Sequence, residues 1–220
     1  MKPTTGNRQP SVLLAGFAPF AGEAINPSWQ AVRALDGEMI ERHRVTALEL
    51  PTEFEGSLRV LRKGLRETQP RVAIAVGLAS GRSGLSLERV AINVIDARIP
   101  DNAGAQPVDV PIIGKGPAAY FSTLPIKAAL TALRDAGIDA HISQTAGTYV
   151  CNHVFYALMH AARRLQIRAG FVHVPFLPEQ AQRHGAPAMS LDRIVEGLRI
   201  VIRTALSTHA DARVTGGAES

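Results

Sequence analysis

The chain is predicted to fold as a three-layer α/β domain, a mainly parallel twisted sheet with helices on both faces. Two kinds of segment alternate to give this. Ser11–Ala15 and Arg71–Gly77 are short runs that are apolar throughout, as strands buried on both faces must be, and Gly170–Pro175 repeats the pattern late in the chain. Between and after them lie stretches whose apolar residues recur at three- and four-residue steps, the period of a helix packed on one face. The length of 220 residues suits one domain with a full core, and no linker composition interrupts it.

Residues 1–10 are polar with two prolines and are expected to be disordered; the domain is placed at 11–208, and a polar, small-residue tail at 209–220 is again expected to be loose. After the first strand, taken to end at Gly16, the loop Phe17–Gly22 holds two aromatics, Phe17 and Phe20. They act either as anchors into the core or as an apolar pocket wall. Asn26-Pro27 reads as a cap followed by proline at the first helical position. A second strand is expected over Arg44–Leu50, and Thr52 with Glu55 as a capping box before a helix carrying Leu58, Leu61 and Leu65.

From Leu85 to Asn93 the residues alternate as a strand or strand pair. Strict alternation puts Glu88 on a face with Ser86, Val90 and Ile92, and a carboxylate so placed needs a partner. That partner is either an arginine in a structural ion pair or a histidine that Glu88 orients. Asp96–Gly116 is a long Pro, Gly and Asp-rich loop containing Arg98 and Asp101, and Phe176–Met189 is a second loop, read as a lid. Helices are expected over Leu124–Ala136 and, capped by Ser190, through Ala205.

The only cysteine, Cys151, stands where a Gly147-Thr148 turn gives way to helical periodicity at Val154, Phe155 and Leu158. Unpaired N–H groups at a helix start favour an anion, so its thiol is expected to titrate below the free value of about 8.5. The alternative is a small buried hydrophobe. His173 lies near the end of a buried strand, either satisfied by a backbone group or at the sheet edge where α/β proteins build their sites. His153, two residues along the helix from Cys151, points elsewhere.

The lone cysteine excludes an intrachain disulfide, and no apolar run resembles a signal peptide or reaches the roughly 18 residues of a membrane span. A cytoplasmic protein with no membrane partner is expected. The net charge of +5 comes from basic residues scattered along the chain, without a basic block or interleaved aromatics, so no nucleic-acid partner is indicated. No metal-spaced Cys/His cluster, phosphate loop or internal repeat occurs, and no cofactor is expected.

Four separated segments together resemble the pyroglutamyl peptidase I family of cysteine peptidases. They are Gly16-Phe17 through Trp29; Gly77 through Asn102 with Glu88-Arg89-Val90-Ala91; Thr145-Ala146-Gly147 through Cys151-Asn152 and Tyr156; and His173-Val174-Pro175 through Gln180. The resemblance implies a mixed, mainly parallel sheet, and a homo-oligomer, tetramer or dimer. It implies a triad of Cys151 as nucleophile, His173 as acid and base and Glu88 as the orienting group, acting on a pyroglutamyl peptide. By the same resemblance Phe17 and Phe20 line the substrate pocket, Asn26 lies in the matching loop, and Arg98 stands close to the triad. Leu78, Ser80 and Ala21 depart from the family pattern, Leu78 standing where many members have glutamine. The rival readings are a noncatalytic binding domain on the same scaffold and a thiol amidase or esterase for another acyl group.

Overall fold

The computed structural model describes residues 9–217. A seven-stranded sheet forms its middle layer, in the order β2 (Met39–Ile40), β3 (His43–Leu50), β1 (Ser11–Phe17), β4 (Val72–Leu78), β9 (Arg168–Val174), β5 (Leu85–Glu88), β8 (Ala140–Ser143). β3, β1, β4 and β9 run parallel, while β5 enters antiparallel to β9 and carries β8 parallel to itself. The sheet is therefore mixed and mainly parallel, as expected. Helices α1 (Pro27–Ala34), α3 (Ile126–Asp135) and α6 (Leu191–Ser207) cover one face, and α2 (Phe54–Thr68) and α4 (Val150–Leu165) the other. A hairpin of β6 (Val90–Ile92) and β7 (Ala119–Phe121) and the short helix α5 (Pro178–His184) complete the chain.

The parallel strands are apolar throughout because both of their faces are covered. β4 alternates Val72, Ile74 and Val76 into one core and Ala73 and Ala75 into the other. Their carboxyl ends, at Phe17, Leu50, Leu78 and Val174, converge on one edge. Gly16 does not end β1. A Cβ there would lie 2.8 Å from the Ser28 carbonyl oxygen, so glycine lets the start of α1 rest on the strand.

Several local expectations are corrected by long-range contacts. Thr52 and Glu55 form no capping box: Thr52 donates to the Ala18 carbonyl, and the start of α2 is satisfied instead by Asp101, whose Oδ2 accepts from Phe54 N at 2.8 Å. The other Asp101 oxygen accepts from Ala103 N and Ala105 N, which makes one buried carboxylate both a helix cap and the organiser of the 96–116 loop. Glu88 does not share a sheet face with Val90 and Ile92. The chain leaves the large sheet at Arg89, and those two residues pair with β7. The Phe176–Met189 segment contains α5. Ser190 begins α6 without a side-chain hydrogen bond.

The tail makes contacts with the domain. Residues 209–217 form no helix or strand, yet Asp211 accepts from Lys127 N and Ala128 N at the start of α3, and Arg89 donates to the Gly216 carbonyl. The expectations for residues 1–8 and 218–220 lie outside the described residues.

Asp101→Ala should lower stability by about 2 kcal/mol or more, because three backbone N–H groups lose their acceptor. The check is a denaturant titration, which should show a lower midpoint with an unchanged slope.

Candidate active site

The sheet edge where the parallel strands end holds a cavity of about 230 Å³. Phe17, Phe20 and Tyr149 give it an aromatic wall, with the Phe20 and Tyr149 rings 5.4 Å apart. Thr52, Asn26, Leu78 and Val150 continue the wall, Cys151 lies within it, and Glu23, Phe176 and His184 also line it. The loop aromatics are thus wall and anchor at once: Phe17 is buried against Phe171 at 6.3 Å while also facing the cavity.

Cys151 is the second residue of α4, as the break in periodicity predicts. The first intrahelical bond runs from His153 N to Tyr149 O, which leaves the N–H groups of Val150, Cys151 and Asn152 without intrahelical partners. The sulfur lies over β4. A Cβ on Gly77 would stand 3.0 Å from Cys151 Sγ and 2.8 Å from the Phe171 ring, so only a bare backbone admits both. Gly77 is in turn the register partner of His173 on β9. Sulfur and imidazole therefore share one small region at the end of two neighbouring strands.

His173 is almost fully buried, and its Nδ1 lies 2.7 Å from Glu88 Oε1. Their approach follows from strand register. Ser86 is the residue directly opposite His173, and Glu88, two residues further along β5, is its diagonal neighbour on the same face. Glu88 is wholly buried, and the same Oε1 accepts from Arg82 Nη1 at 2.9 Å. Glu88 therefore contacts both kinds of partner the sequence left open, a histidine on β9 and an arginine, which comes from a loop and not from across a sheet edge. With Nδ1 engaged, Nε2 is the imidazole nitrogen left to exchange a proton.

The thiol departs from expectation. Burial pushes Cys151 up to about 12, the Glu88 charge adds to the rise, and Arg82 opposes it. A desolvated sulfur near a carboxylate gains more from keeping its proton than the helix start gains from an anion. A proton passed from the sulfur to an imidazole would leave a pair with no net charge.

Of the other residues singled out from the sequence, Asn26 lines the cavity, but its polar atoms are engaged in local structure. Oδ1 accepts from Ser28 N and Ser28 Oγ, and Nδ2 donates to the Ala18 carbonyl. Leu78 contributes an apolar surface. Arg98 is exposed on the 96–116 loop and is not part of the cavity wall.

Tyr149 and Asn152 were not singled out for the work they do. Burial holds the Tyr149 phenol up at about 12, so it stays protonated and donates to the Pro100 carbonyl at 2.9 Å, fastening the 96–116 loop beside the cavity. Asn152 Nδ2 donates to the Ile92 and Val94 carbonyls and its Oδ1 accepts from Ile92 N, which ties the first turn of α4 to β6. Among the described residues, no group of three or more His, Cys, Asp or Glu side chains is arranged to hold a metal ion.

Comparison with known proteins follows this geometry. Residues 10–208 match the family model described as pyroglutamyl peptidase. A pyrrolidone-carboxylate peptidase of Cupriavidus taiwanensis is 56% identical over 212 residues, covering 94% of this chain and 98% of that protein. One from Klebsiella pneumoniae is 54% identical over 209 residues, with the same coverage. The crystal structure of pyroglutamyl peptidase I from Bacillus amyloliquefaciens superposes with a TM-score of 0.92 at 46% identity, over 94% of this chain and all of that one. A mutant pyrrolidone carboxyl peptidase from Pyrococcus furiosus gives 0.88 at 44% identity, over 90% and 99%.

His153 points away from the cavity, as expected, with its ring against Phe54 at 5.4 Å and both nitrogens buried without a hydrogen-bond partner. Burial pushes its pKa down to about 4; the Phe54 backbone opposes this and Arg62 adds to the lowering. A lowered folded pKa means the unfolded chain binds the proton first, so stability is full above the unfolded value and is lost as pH falls from about 6.5 toward 4. His153→Met should remove a dependence that approaches about 1.4 kcal/mol per pH unit in that window. Denaturant titrations at several pH values would show it, and parallel curves for the two proteins would refute it.

Proposed function

The chain belongs to the pyroglutamyl peptidase family, and from that premise we propose that Cys151, His173 and Glu88 are the residues with which it removes N-terminal pyroglutamyl groups from peptides. The observation that carries the reading is the 2.7 Å contact between His173 and Glu88, on the strand whose register partner, Gly77, lies under Cys151 Sγ.

In this reading the thiol passes its proton to His173 Nε2 as sulfur attacks the pyroglutamyl carbonyl carbon. Glu88 stabilises the imidazolium through Nδ1 and holds the ring in place. The negative charge on the carbonyl oxygen is met by the free N–H groups in the first turn of α4. His173 then protonates the leaving amine nitrogen, the C–N bond breaks, and a thioester remains. Water attacks the thioester carbonyl and gives a proton to His173, the C–S bond breaks, and the proton returns to sulfur. No step draws on a metal or organic cofactor.

The cavity supports the choice of acyl group. A lactam is small, flat and uncharged, and the slot beside Phe17, Phe20, Tyr149 and Leu78 is largely apolar. An ordinary protonated N-terminus would have to lose its hydration there, and the Glu23 carboxylate in the wall is already engaged by Gln180, Arg183 and His184, which disfavours it. The Leu78 side chain contributes shape here and cannot itself donate a hydrogen bond to the ring.

The same reading places the enzyme in the cytoplasm as a homo-oligomer, a tetramer or dimer, with neither nucleic acid nor membrane as partner. Among the described residues no helix is long and apolar enough to cross a membrane. Exposed Phe121 and Val108 are the kind of surface a second copy would cover.

A pyroglutamyl arylamide assayed beside alanyl and prolyl arylamides tests the substrate, and turnover of the first alone is expected. Glu88→Gln tests the triad. It keeps size and hydrogen-bonding reach but loses the charge, so kcat should fall roughly tenfold or more with KM and melting temperature little changed. A variant that melts several degrees lower yet turns over normally would remove Glu88 from the chemistry.

A further inference from the structure

Arg82 has no part in the scheme above, yet it is bound to the centre of it. It lies in the loop between β4 and β5, with its side chain mostly covered. Its Nη1 and His173 Nδ1 both approach Glu88 Oε1, while Glu88 Oε2 is buried and has no hydrogen-bond partner among the described residues. An arginine free to choose its geometry would grip both carboxylate oxygens with its fork. Here the fork is split. Nη2 turns to the Thr145 carbonyl, at 3.4 Å, in the turn that delivers Cys151 to the head of α4. One guanidinium thus spans the carboxylate behind His173 and the backbone ahead of the sulfur.

We propose that Arg82 is a positioning residue for the reaction: it holds the Glu88 carboxylate on His173 and, as a fixed cation, limits how strongly that carboxylate draws protons to the cluster. The inference rests on the peptidase reading of the same site. Its hydrogen bond into the catalytic cluster is to Glu88, so it acts through Glu88 and not through the substrate.

The charge environment fixes the direction of the effect. Facing the Glu88–His173 pair are Cys151 from α4, His141 from β8 and Arg82 from the loop. Asp139, just before β8, is held by Ser83 Oγ, and Arg89, next in the chain, donates to the Gly216 carbonyl; Arg134 of α3 adds positive charge near His141. Loss of the Arg82 cation leaves the Glu88 charge less opposed, which favours the protonated form of each group in the cluster. Both limbs of the pH–rate profile should then move to higher pH.

The test compares Arg82→Met and Arg82→Lys, each alone and combined with Glu88→Gln. Turnover of a pyroglutamyl arylamide and the rate of Cys151 alkylation by iodoacetamide are followed across pH, beside thermal melts. Arg82→Met should lower kcat roughly tenfold while KM stays within about twofold, a loss typical of impaired acid–base assistance. The limbs of both profiles should rise by roughly half a pH unit or more, as expected when a neighbouring charge is removed. Arg82→Lys should return the limbs to their original pH while recovering only part of kcat, since an ammonium keeps the charge but not the fork. In the Glu88→Gln background, Arg82→Met should cost less than about twofold, because a residue acting through Glu88 has nothing left to act on.

Equal losses in both backgrounds, or a lower melting temperature with unmoved pH profiles, would make Arg82 a loop anchor and overturn the proposal. If Arg82→Met does not fold, Arg82→Gln carries the same expectations with a polar head retained for Thr145. If the wild type hydrolyses no pyroglutamyl arylamide, the proposed function falls, and the alkylation profiles still decide the role of Arg82.

Discussion

A carboxylate with no solvent exposure sits inside the sheet, and its need for partners shapes the surroundings of the site. An unpaired buried charge is far too costly to persist, so Glu88 must be met by donors, and the fold supplies them from two directions. β9 provides His173 because β5 enters the sheet antiparallel to it, which makes residue 88 a diagonal neighbour of residue 173 on one face. The loop before β5 provides Arg82. The reversal of β5 and β8 beside the parallel strands β3, β1, β4 and β9 is therefore the feature that creates the His–Glu contact.

Close packing explains the neighbouring glycines. β5 passes so close to the residues leading into β8 that a Cβ on Gly84 would stand 2.5 Å from the Asp139 carbonyl oxygen. On the opposite side of β9, Gly77 leaves β4 bare where Cys151 Sγ and the Phe171 ring arrive. A methyl group on Gly77 would displace the sulfur or the ring, and the ring is packed in turn against Phe17, Phe155 and His173. Placement of the thiol is thus a packing problem solved in the core before any chemistry is asked of it.

How far the sequence revealed this arrangement depended on the range of the interactions. The strands β1, β4 and β9 and the start of α4 were legible because burial and helical period are written in neighbouring residues. Cys151 and His173 stood out by their place at element ends, whereas Glu88 was singled out for a burial that is real and a shared face with Val90 and Ile92 that is not. What stayed hidden was set by contacts across long separations. Asp101 caps α2 from 47 residues away, so the local capping signal at Thr52 misled, and Asp211 meets α3 from 84 residues away, a contact that composition alone does not show. Tyr149 and Asn152 were visible as parts of a resemblance. Their partners, Pro100 and the β6 backbone, belong to a loop and hairpin whose position no periodicity encodes.

The thiol shows the same limit in electrostatic form. A cysteine at a helix start is expected to lose its proton easily, and that expectation counts only local dipoles. The fold adds burial and the charge of Glu88, and both favour the protonated sulfur. The conflict resolves once the proton is followed from sulfur to imidazole and not from sulfur to solvent. In the proposed mechanism, transfer to His173 would move positive charge toward Glu88 and leave the sulfur negative at the head of α4, so the carboxylate that opposes a free thiolate would support the pair. Under the roles proposed for Cys151 and His173, such a site would hold its thiol protonated at rest and make it reactive in concert with the histidine that protonates the leaving amine.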